Sequence, residues 1–538
     1  MSLSELSTQP GIMESIQFTC EYIEDPLAAY RALCEERPNT LLLESAEVES
    51  KNDINSLILV DAAVRFVCQG HGVTCYALTP NGEHVLSLLS EKLSSFVKQT
   101  SEEDKDPKYI NQLSLSFPAP DPNLDEDSKL KQPSVFDVLR TVQTQIKPLR
   151  EHPYAVFVAG TFAYDIFSTF EPLPDVPTGD NNCPDYVFYL AETLIHIDHQ
   201  KHVAEVLGSV FSGEDVANQY LSISQRLQGL AQKMADAELS WSTYDHVSEA
   251  DLKVSKSDEE YRGDVLKLKE NILAGDIFQV VPSRIFTLPC PSHLKSYAQL
   301  RINNPSPYMF HIQDENFAIF GASPECAVKY THQTNEMEVY PIAGTLPRGK
   351  RPDGSLDRDL DTRIELTLRE DTKEKSEHIM LVDLARNDIA RVSQPGTRYV
   401  KDLLKVDRYS HVMHLVSKVV GELRTDLDSL HAYQACMNMG TLVGAPKVRA
   451  AQLIRDVEGI RRGSYGGAVG YITGKGDMNT CIVIRSAFVV DNVAHVQAGA
   501  GVVYDSEPQS EADETRNKAQ AVITAIIDAH QNTAKSEA

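Results

Sequence analysis

The sequence predicts an α+β fold of largely antiparallel sheets packed with helices. Three observations carry this expectation. Apolar runs come in neighbouring pairs with short polar connections, which antiparallel pairing alone can satisfy. Helical patterns stand apart from these pairs instead of alternating with single strands, as a doubly wound sheet would require. The chain has 538 residues, 42% of them hydrophobic. That length can bury more than one ordinary core, and two to four domains are expected.

Ser257 followed by Glu260 is a capping box that opens the helix EEYRGDVLKLKENILAG, which Gly275 stops. Downstream, YMFHI pairs with FAIFGA, CAVKY with MEVYPI, and CIVIRSAFVV with VAHVQAGAGVV. Asp491-Asn492 supplies a tight turn for the last pair. Helices are predicted over 374–391, 428–438, 445–458 and 511–531. Residues 98–132 are polar, acidic and Pro-containing and read as a long surface excursion. Residues 236–256 read as a linker, and the tail after Ala529 as a frayed end.

Composition excludes several classes. The net charge is −26 and no long Lys/Arg run interrupts it, so neither nucleic acid nor an anionic membrane is an expected partner. An anionic substrate must then be held by a few placed cations or by a metal. The nine cysteines are scattered without a C-x-x-C pair, which reads as a reduced, cytoplasmic protein without a structural zinc. The N-terminus lacks the basic and apolar regions of a secretory signal, and no apolar stretch reaches the length of a membrane span.

Two predicted helices each carry a glutamate pair at three-residue spacing, Glu374 with Glu377 and Glu511 with Glu514. Such spacing puts both carboxylates on one face. Four carboxylates brought together repel unless a cation lies between them, and hard oxygen donors with open positions suit Mg²⁺. Either pair taken alone fits a solvated helical face better, with Lys375 and Lys518 as partners, and spacing does not decide between the two. QAGAGVV ends an apolar strand, and Gly499 and Gly501 let a ligand approach the backbone; a bulge explains them as well. PIAGTLPRG has the same character at Gly344 and Thr345. Arg485, flanked by apolar residues in CIVIRSA, needs an anionic partner, from protein or from substrate. His411 and His414 are spaced too poorly for zinc without a third soft ligand. No Walker, Rossmann or nucleophile-elbow motif occurs. The residues alone describe an α+β enzyme that uses Mg²⁺ to hold a small anion, with the reaction open.

At IFQVVPSR, FGASPE, PIAGT, EHIMLVDLARND, GTLVGAPK, YGGAVGY and QAGAGVV…SEADETRNKA, in that order over 277–518, the chain resembles the chorismate-utilising enzymes. LLLESAEV and NPSPYMF resemble the tryptophan-regulated anthranilate synthase large subunits within that family. The resemblance implies the chorismate-utilising fold, with a regulatory region over 1–240 and a chorismate-binding catalytic domain over 257–530. It implies that Glu377 and Glu514 ligate Mg²⁺ directly and that Glu374 and Glu511 do so through water. Gly344, Thr345, Tyr465, Arg485, Gly499, Ala500, Gly501 and Lys518 would bind chorismate. Glu325 would be the general acid for the departing C4 hydroxyl, its pKa raised by burial near other carboxylates, with His414 positioning that hydroxyl. Water-using members carry a lysine where this chain has Gln279, and para-aminating members one where it has Ala343. Ammonia addition, pyruvate loss and anthranilate formation are therefore implied, ahead of aminodeoxychorismate or isochorismate synthesis or a non-catalytic tryptophan sensor. Val443 stands where the family pattern has Ser or Thr. None of the cysteines resembles an amidotransferase nucleophile, so a separate glutamine amidotransferase subunit is implied, in a heterotetramer of two large and two small subunits. Ser45, Pro307, Tyr308 and Met309 resemble the L-tryptophan effector site.

Overall fold

Two long strands organise the chain. Asn55–Gln69 (NSLILVDAAVRFVCQ) and Tyr186–Asp198 (YVFYLAETLIHID) are apolar at adjacent as well as alternate positions, so both faces must be covered. They pair antiparallel from Asn55↔Asp198 to Cys68↔Tyr186, with register shifts between Leu59 and Val64. Such bulges bend a ladder, and here the two ends of the pair belong to two different sheets. The computed structural model describes residues 6–34, 37–45, 54–98, 106–242, 244–351, 355–408 and 412–531.

The first sheet grows from the 186–190 end through Val158–Phe162, Ala468–Ile472, Met478–Ile482, Cys326–Thr331 and Glu336–Val339 to Val412–Glu422. The second grows from the 55–59 end through Thr40–Glu44, Tyr308–Gln313, Ala318–Ser323, Ser486–Val490 and Val493–Gly499 to Ser283–Pro289. Leu41, Leu59, Phe157, Tyr189, Phe310, Ile319, Val469 and Phe488 form one apolar cluster drawn from the facing sheets. The helices Pro80–Lys92, Asp137–Gln145, Ser429–Cys436 and Lys447–Glu458 contribute to a second cluster with the first sheet. Pro26–Cys34, Val216–Ala235, His293–Asn303 and Pro508–Ala529 contribute to a third with the second sheet. The α+β expectation holds: helices lie outside two stacked, mostly antiparallel sheets. Segments from 1–240 and 257–530 supply neighbouring strands in both sheets, as in Thr40–Glu44 with Tyr308–Gln313 and Val158–Phe162 with Ala468–Ile472.

The expected hairpins form, and Asp491 and Asn492 both take left-handed φ values of 50° and 59° in the turn that joins Val490 to Val493. Three expectations change. Residues 98–132 are not purely an excursion: Asn111–Ser116 adds a strand beside Gly72–Ala77, because Leu115 has a core to enter. Within 236–256, Lys253–Val254 pairs with Ser283–Pro289. CIVIRSAFVV is two strands, Met478–Ile482 and Ser486–Val490, broken where Arg485 takes φ +48°. The end of the frayed tail, 532–538, and His411 lie outside the described residues. No helix among the described residues is long and apolar enough to cross a membrane.

The capping box at Ser257 is complete, with Ser257 N–H donating to Glu260 Oε2 at 2.7 Å and Glu260 N–H donating to Ser257 Oγ at 3.3 Å. Ser257→Ala is expected to cost about 1 kcal/mol, read as a lowered urea midpoint at unchanged slope.

Candidate active site

Several of the residues expected at the site are joined by direct contacts that start at the glycine-rich strand end. Gly499 closes Val493–Gly499, opposite Ser283 in the ladder. A Cβ on Gly499 would stand 2.6 Å from Pro282 O and 3.2 Å from the Tyr465 hydroxyl; one on Gly501 would stand 2.8 Å from Gln279 Nε2 and 3.2 Å from Glu377 Oε1. Only glycine lets these groups close on the backbone. Gln279 Nε2 donates to Glu377 Oε1 at 2.7 Å. Lys518 Nζ donates to Gly499 O at 3.0 Å and pairs with Glu514 Oε1 at 2.7 Å. One carboxylate from Thr372–Ala390 and one from Pro508–Ala529 therefore border a single turn. The three amides of that turn are not all offered to a ligand, since Ala500 N–H donates to Pro282 O at 3.2 Å.

A second edge comes from Ile342–Pro347. Gly344, at φ +67°, falls where the register against Val412–Glu422 shifts, and Thr345 stands opposite His414. A Cβ on Gly344 would lie 3.0 Å from Leu368 Cδ1 and 3.1 Å from Glu374 Oε2. His414 is 2% exposed. Burial, then the charge of Arg485, push its imidazole down to about 3 against a hydrogen bond with the Gly344 backbone, so the ring is neutral at pH 7. Arg485 itself is half-buried, and its backbone carbonyl accepts from Ala322 N–H at 3.1 Å. A non-glycine residue held left-handed stores strain, a common feature of functional positions.

Glu325 sits between these edges, 6% exposed. Burial raises its carboxyl to about 8, against a hydrogen bond from Thr441 and the charges of Lys518 and Arg485. The expected direction is right and part of the expected cause is wrong: the neighbours that perturb it are cations and donors, not other carboxylates. Thr441 Oγ1 donates to Glu325 Oε1 at 2.9 Å. Val443, where the family pattern has a hydroxyl, is fully buried among apolar side chains. Since Thr441 holds the carboxyl down, Thr441→Val is expected to move the alkaline limb of a pH–rate profile upward. An unmoved limb would disconnect Glu325 from that limb.

Tyr465, 5% exposed, is raised by burial, with Arg462 and Lys518 opposing. Arg462 was not anticipated from sequence. It is fully buried, pairs with Glu458 at 2.6 Å and donates to Leu442 O at 2.8 Å and Val281 O at 2.6 Å. Its guanidinium lies 5.5 Å from the Tyr465 ring centroid and so fixes the ring and two site loops together.

The donor set fits a hard cation: it is all carboxylate, with Glu511 buried in the first turn of its helix. Among the described residues no three His, Cys, Asp or Glu gather closely enough to hold an ion by themselves. The described residues therefore offer at most paired carboxylates, with other positions left to water or substrate. The surface-pair alternative is also present in part, since Glu514 and Lys518 form an i,i+4 ion pair with both side chains 45% exposed. The helix Thr372–Ala390 is only half covered: Leu381 and Val382 are buried, but Ile379 is 40% exposed.

Ser45, Pro307, Tyr308 and Met309 come together as well. All four line a cavity of about 1200 Å³, with Glu44, Tyr154, Cys326 and Tyr471 in the same wall. Met309 faces Glu44 in the ladder, which is how segments far apart in sequence share one pocket.

The chain matches the model of the family described as chorismate binding enzymes over residues 102–524. It is 56% identical to anthranilate synthase component 1 of Vibrio cholerae over 96% of this chain and 97% of that one. Against the component 1 of Escherichia coli K12 it is 55% identical, over 98% and 99%. Among solved structures, anthranilate synthase component I from Streptococcus pneumoniae superposes with a TM-score of 0.68 at 26% identity, covering 89% of this chain and 94% of that one. A menaquinone-specific isochorismate synthase of Escherichia coli shares the fold, with a TM-score of 0.66 at 17% identity over 97% of each chain. With this extent of match, the chain belongs to the chorismate binding enzyme family, among the component 1 relatives of anthranilate synthase.

Proposed function

We propose that this chain is the chorismate-using subunit of an anthranilate synthase, taking chorismate and ammonia through 2-amino-2-deoxyisochorismate to anthranilate and pyruvate in the first step of tryptophan biosynthesis. The observation that carries the reading is Glu325, a buried carboxyl raised to about 8 with Thr441, Lys518 and Arg485 around it. Holding its proton at neutral pH, it would give it to the departing C4 hydroxyl, which the neutral His414 would orient. Arg485, Tyr465, Lys518, Gly344, Thr345 and the backbone at Gly499 and Gly501 bind the substrate, with Ala500 shaping the turn. Glu377 and Glu514 would hold Mg²⁺, with Glu374 and Glu511 acting through water, and the bound ion supplies a positive partner for the ring carboxylate. Gln279 donates to Glu377 and carries no basic nitrogen to activate water, and Ala343 carries no amine to attack the ring. Ammonia is then the nucleophile, and aromatisation drives pyruvate loss.

The ammonia comes from glutamine through an amidotransferase subunit, in a cytoplasmic assembly of two large and two small chains. The pure chain alone is expected to make anthranilate from ammonium salts and none from glutamine. Glutamine-dependent product from the isolated chain would overturn this division of labour.

The cavity at Ser45, Pro307, Tyr308 and Met309 is the L-tryptophan effector site. Ser45→Phe crowds its wall and is expected to abolish tryptophan inhibition while uninhibited turnover stays near normal, because an effector acts only through contacts it makes better in one state. An inhibition curve unchanged from the parent would place the effector elsewhere.

A further inference from the structure

Cys326 and Cys481 stand directly opposite each other in the ladder between Cys326–Thr331 and Met478–Ile482. The flanking hydrogen bond runs from Ile482 N–H to Glu325 O at 3.0 Å. That bond joins the residue before Cys326 to the residue after Cys481, so the two cysteines form a non-hydrogen-bonded pair. This is the closer of the two antiparallel spacings, with Cα atoms about 4.5 Å apart and side chains on one face. A disulfide spans Cα separations of about 4.4–6.8 Å, so the backbone pairing of these two residues falls within the separation a disulfide can bridge.

Both side chains are reduced thiols and buried, 5% and 3% exposed, and both line the cavity of about 1200 Å³. Small molecules that enter the cavity reach them. The other candidate among the described residues is Cys68 with Cys75, which fails on register. Cys68 faces Val73 and Cys75 faces Phe66, a diagonal offset, and neither is exposed. The Tyr308 hydroxyl and the Cys326 thiol are hydrogen-bond partners, and Cys326 directly follows Glu325. The pair therefore joins the cavity wall to the strand end that carries the general acid.

We propose that Cys326 and Cys481 are a thiol–disulfide modification site, closed by peroxide as the oxidant and reopened by small thiols. One thiolate attacks a peroxide oxygen, the O–O bond breaks, and hydroxide leaves and is protonated to water. The sulfenic acid so formed is attacked by the second thiol; the S–O bond breaks, the S–S bond forms, and a second water leaves with the remaining proton. The sulfur pair loses two electrons and the peroxide gains them. Closing the bond draws Cys326 toward Cys481 and removes the thiol partner of Tyr308, so the cavity wall changes where Tyr308 stands.

The test uses the full-length chain, exposed to hydrogen peroxide and then alkylated, digested without reductant and mapped by mass spectrometry. The expected result is a single linked peptide joining Cys326 to Cys481, loss of two of the nine thiols, and full recovery with dithiothreitol. Cys481→Ser and, independently, Cys481→Ala should yield no linked peptide under the same treatment. Retention of all thiols, linkage elsewhere, or passage of Cys326 to sulfinic acid without linkage would each overturn the proposal. The oxidised protein is further expected to bind L-tryptophan about tenfold more weakly, on the scale of one lost polar contact. That consequence rests on the effector reading above. If the reduced protein fails to bind tryptophan, the effector reading falls, whereas the peptide map still decides the disulfide.

Discussion

Glu325→Gln is expected to lower chorismate turnover by about 10²–10⁴-fold, the range for losing a positioned general acid. Glutamine keeps the volume and still accepts from Thr441, so the variant should fold. It lacks the proton that the carboxyl holds at neutral pH. The same substitution has a signature in stability. Glu325 titrates near 8 in the folded chain, against an ordinary value of 4.5. Between those values the folded state holds a proton that the unfolded state has lost. Its contribution is therefore fully present below pH 4.5 and is lost as pH rises through about 8. The parent should lose roughly a few kcal/mol across that window on this account. Glu325→Gln should flatten that part of the slope and be the more stable protein at pH 8. Denaturant midpoints measured from pH 5 to 9 read the slope. Parallel curves for parent and variant would show that the carboxyl is not buried in its acid form.

On the proposed Mg²⁺ reading, Glu377→Gln and Glu514→Gln are each expected to cut turnover by orders of magnitude, because the substrate carboxylate would lose its cationic partner. Folding should survive both. The amide oxygen that Glu377→Gln introduces would still accept from Gln279, and the half-exposed Glu514–Lys518 pair is worth only tenths of a kcal/mol. The double variant should cost little more than either single one, since groups that act as a unit are strongly non-additive. If Glu514→Gln leaves turnover and Mg²⁺ dependence intact, the glutamates are surface pairs and the assignment is withdrawn.

Much of this site was legible in sequence, for identifiable reasons. Arg485 and the glycines stand out by residue type and flanking sequence, Glu325 and His414 only through the family resemblance, and Asp491-Asn492 announced its turn because few other pairs tolerate φ above zero twice. Thr441 and Arg462 were not legible. A threonine in a turn looks like a cap, and an arginine between a helix end and a glycine looks exposed until Leu442 and Val281 carbonyls close on it. The break before Arg485 was hidden by apolar residues that run through it without a polar signal. The two-sheet arrangement was hidden for a different reason. It depends on Asn55–Gln69 and Tyr186–Asp198 changing sheets partway along, and the bulges that turn them appear only in the register between two distant segments.

A chain that aminates chorismate and aromatises the product must release both fragments of the substrate together. Purified chain given chorismate, Mg²⁺ and an ammonium salt, without glutamine, should release fluorescent anthranilate and pyruvate in equal amounts. Isochorismate or a 4-amino product in their place, or anthranilate without pyruvate, would contradict the account.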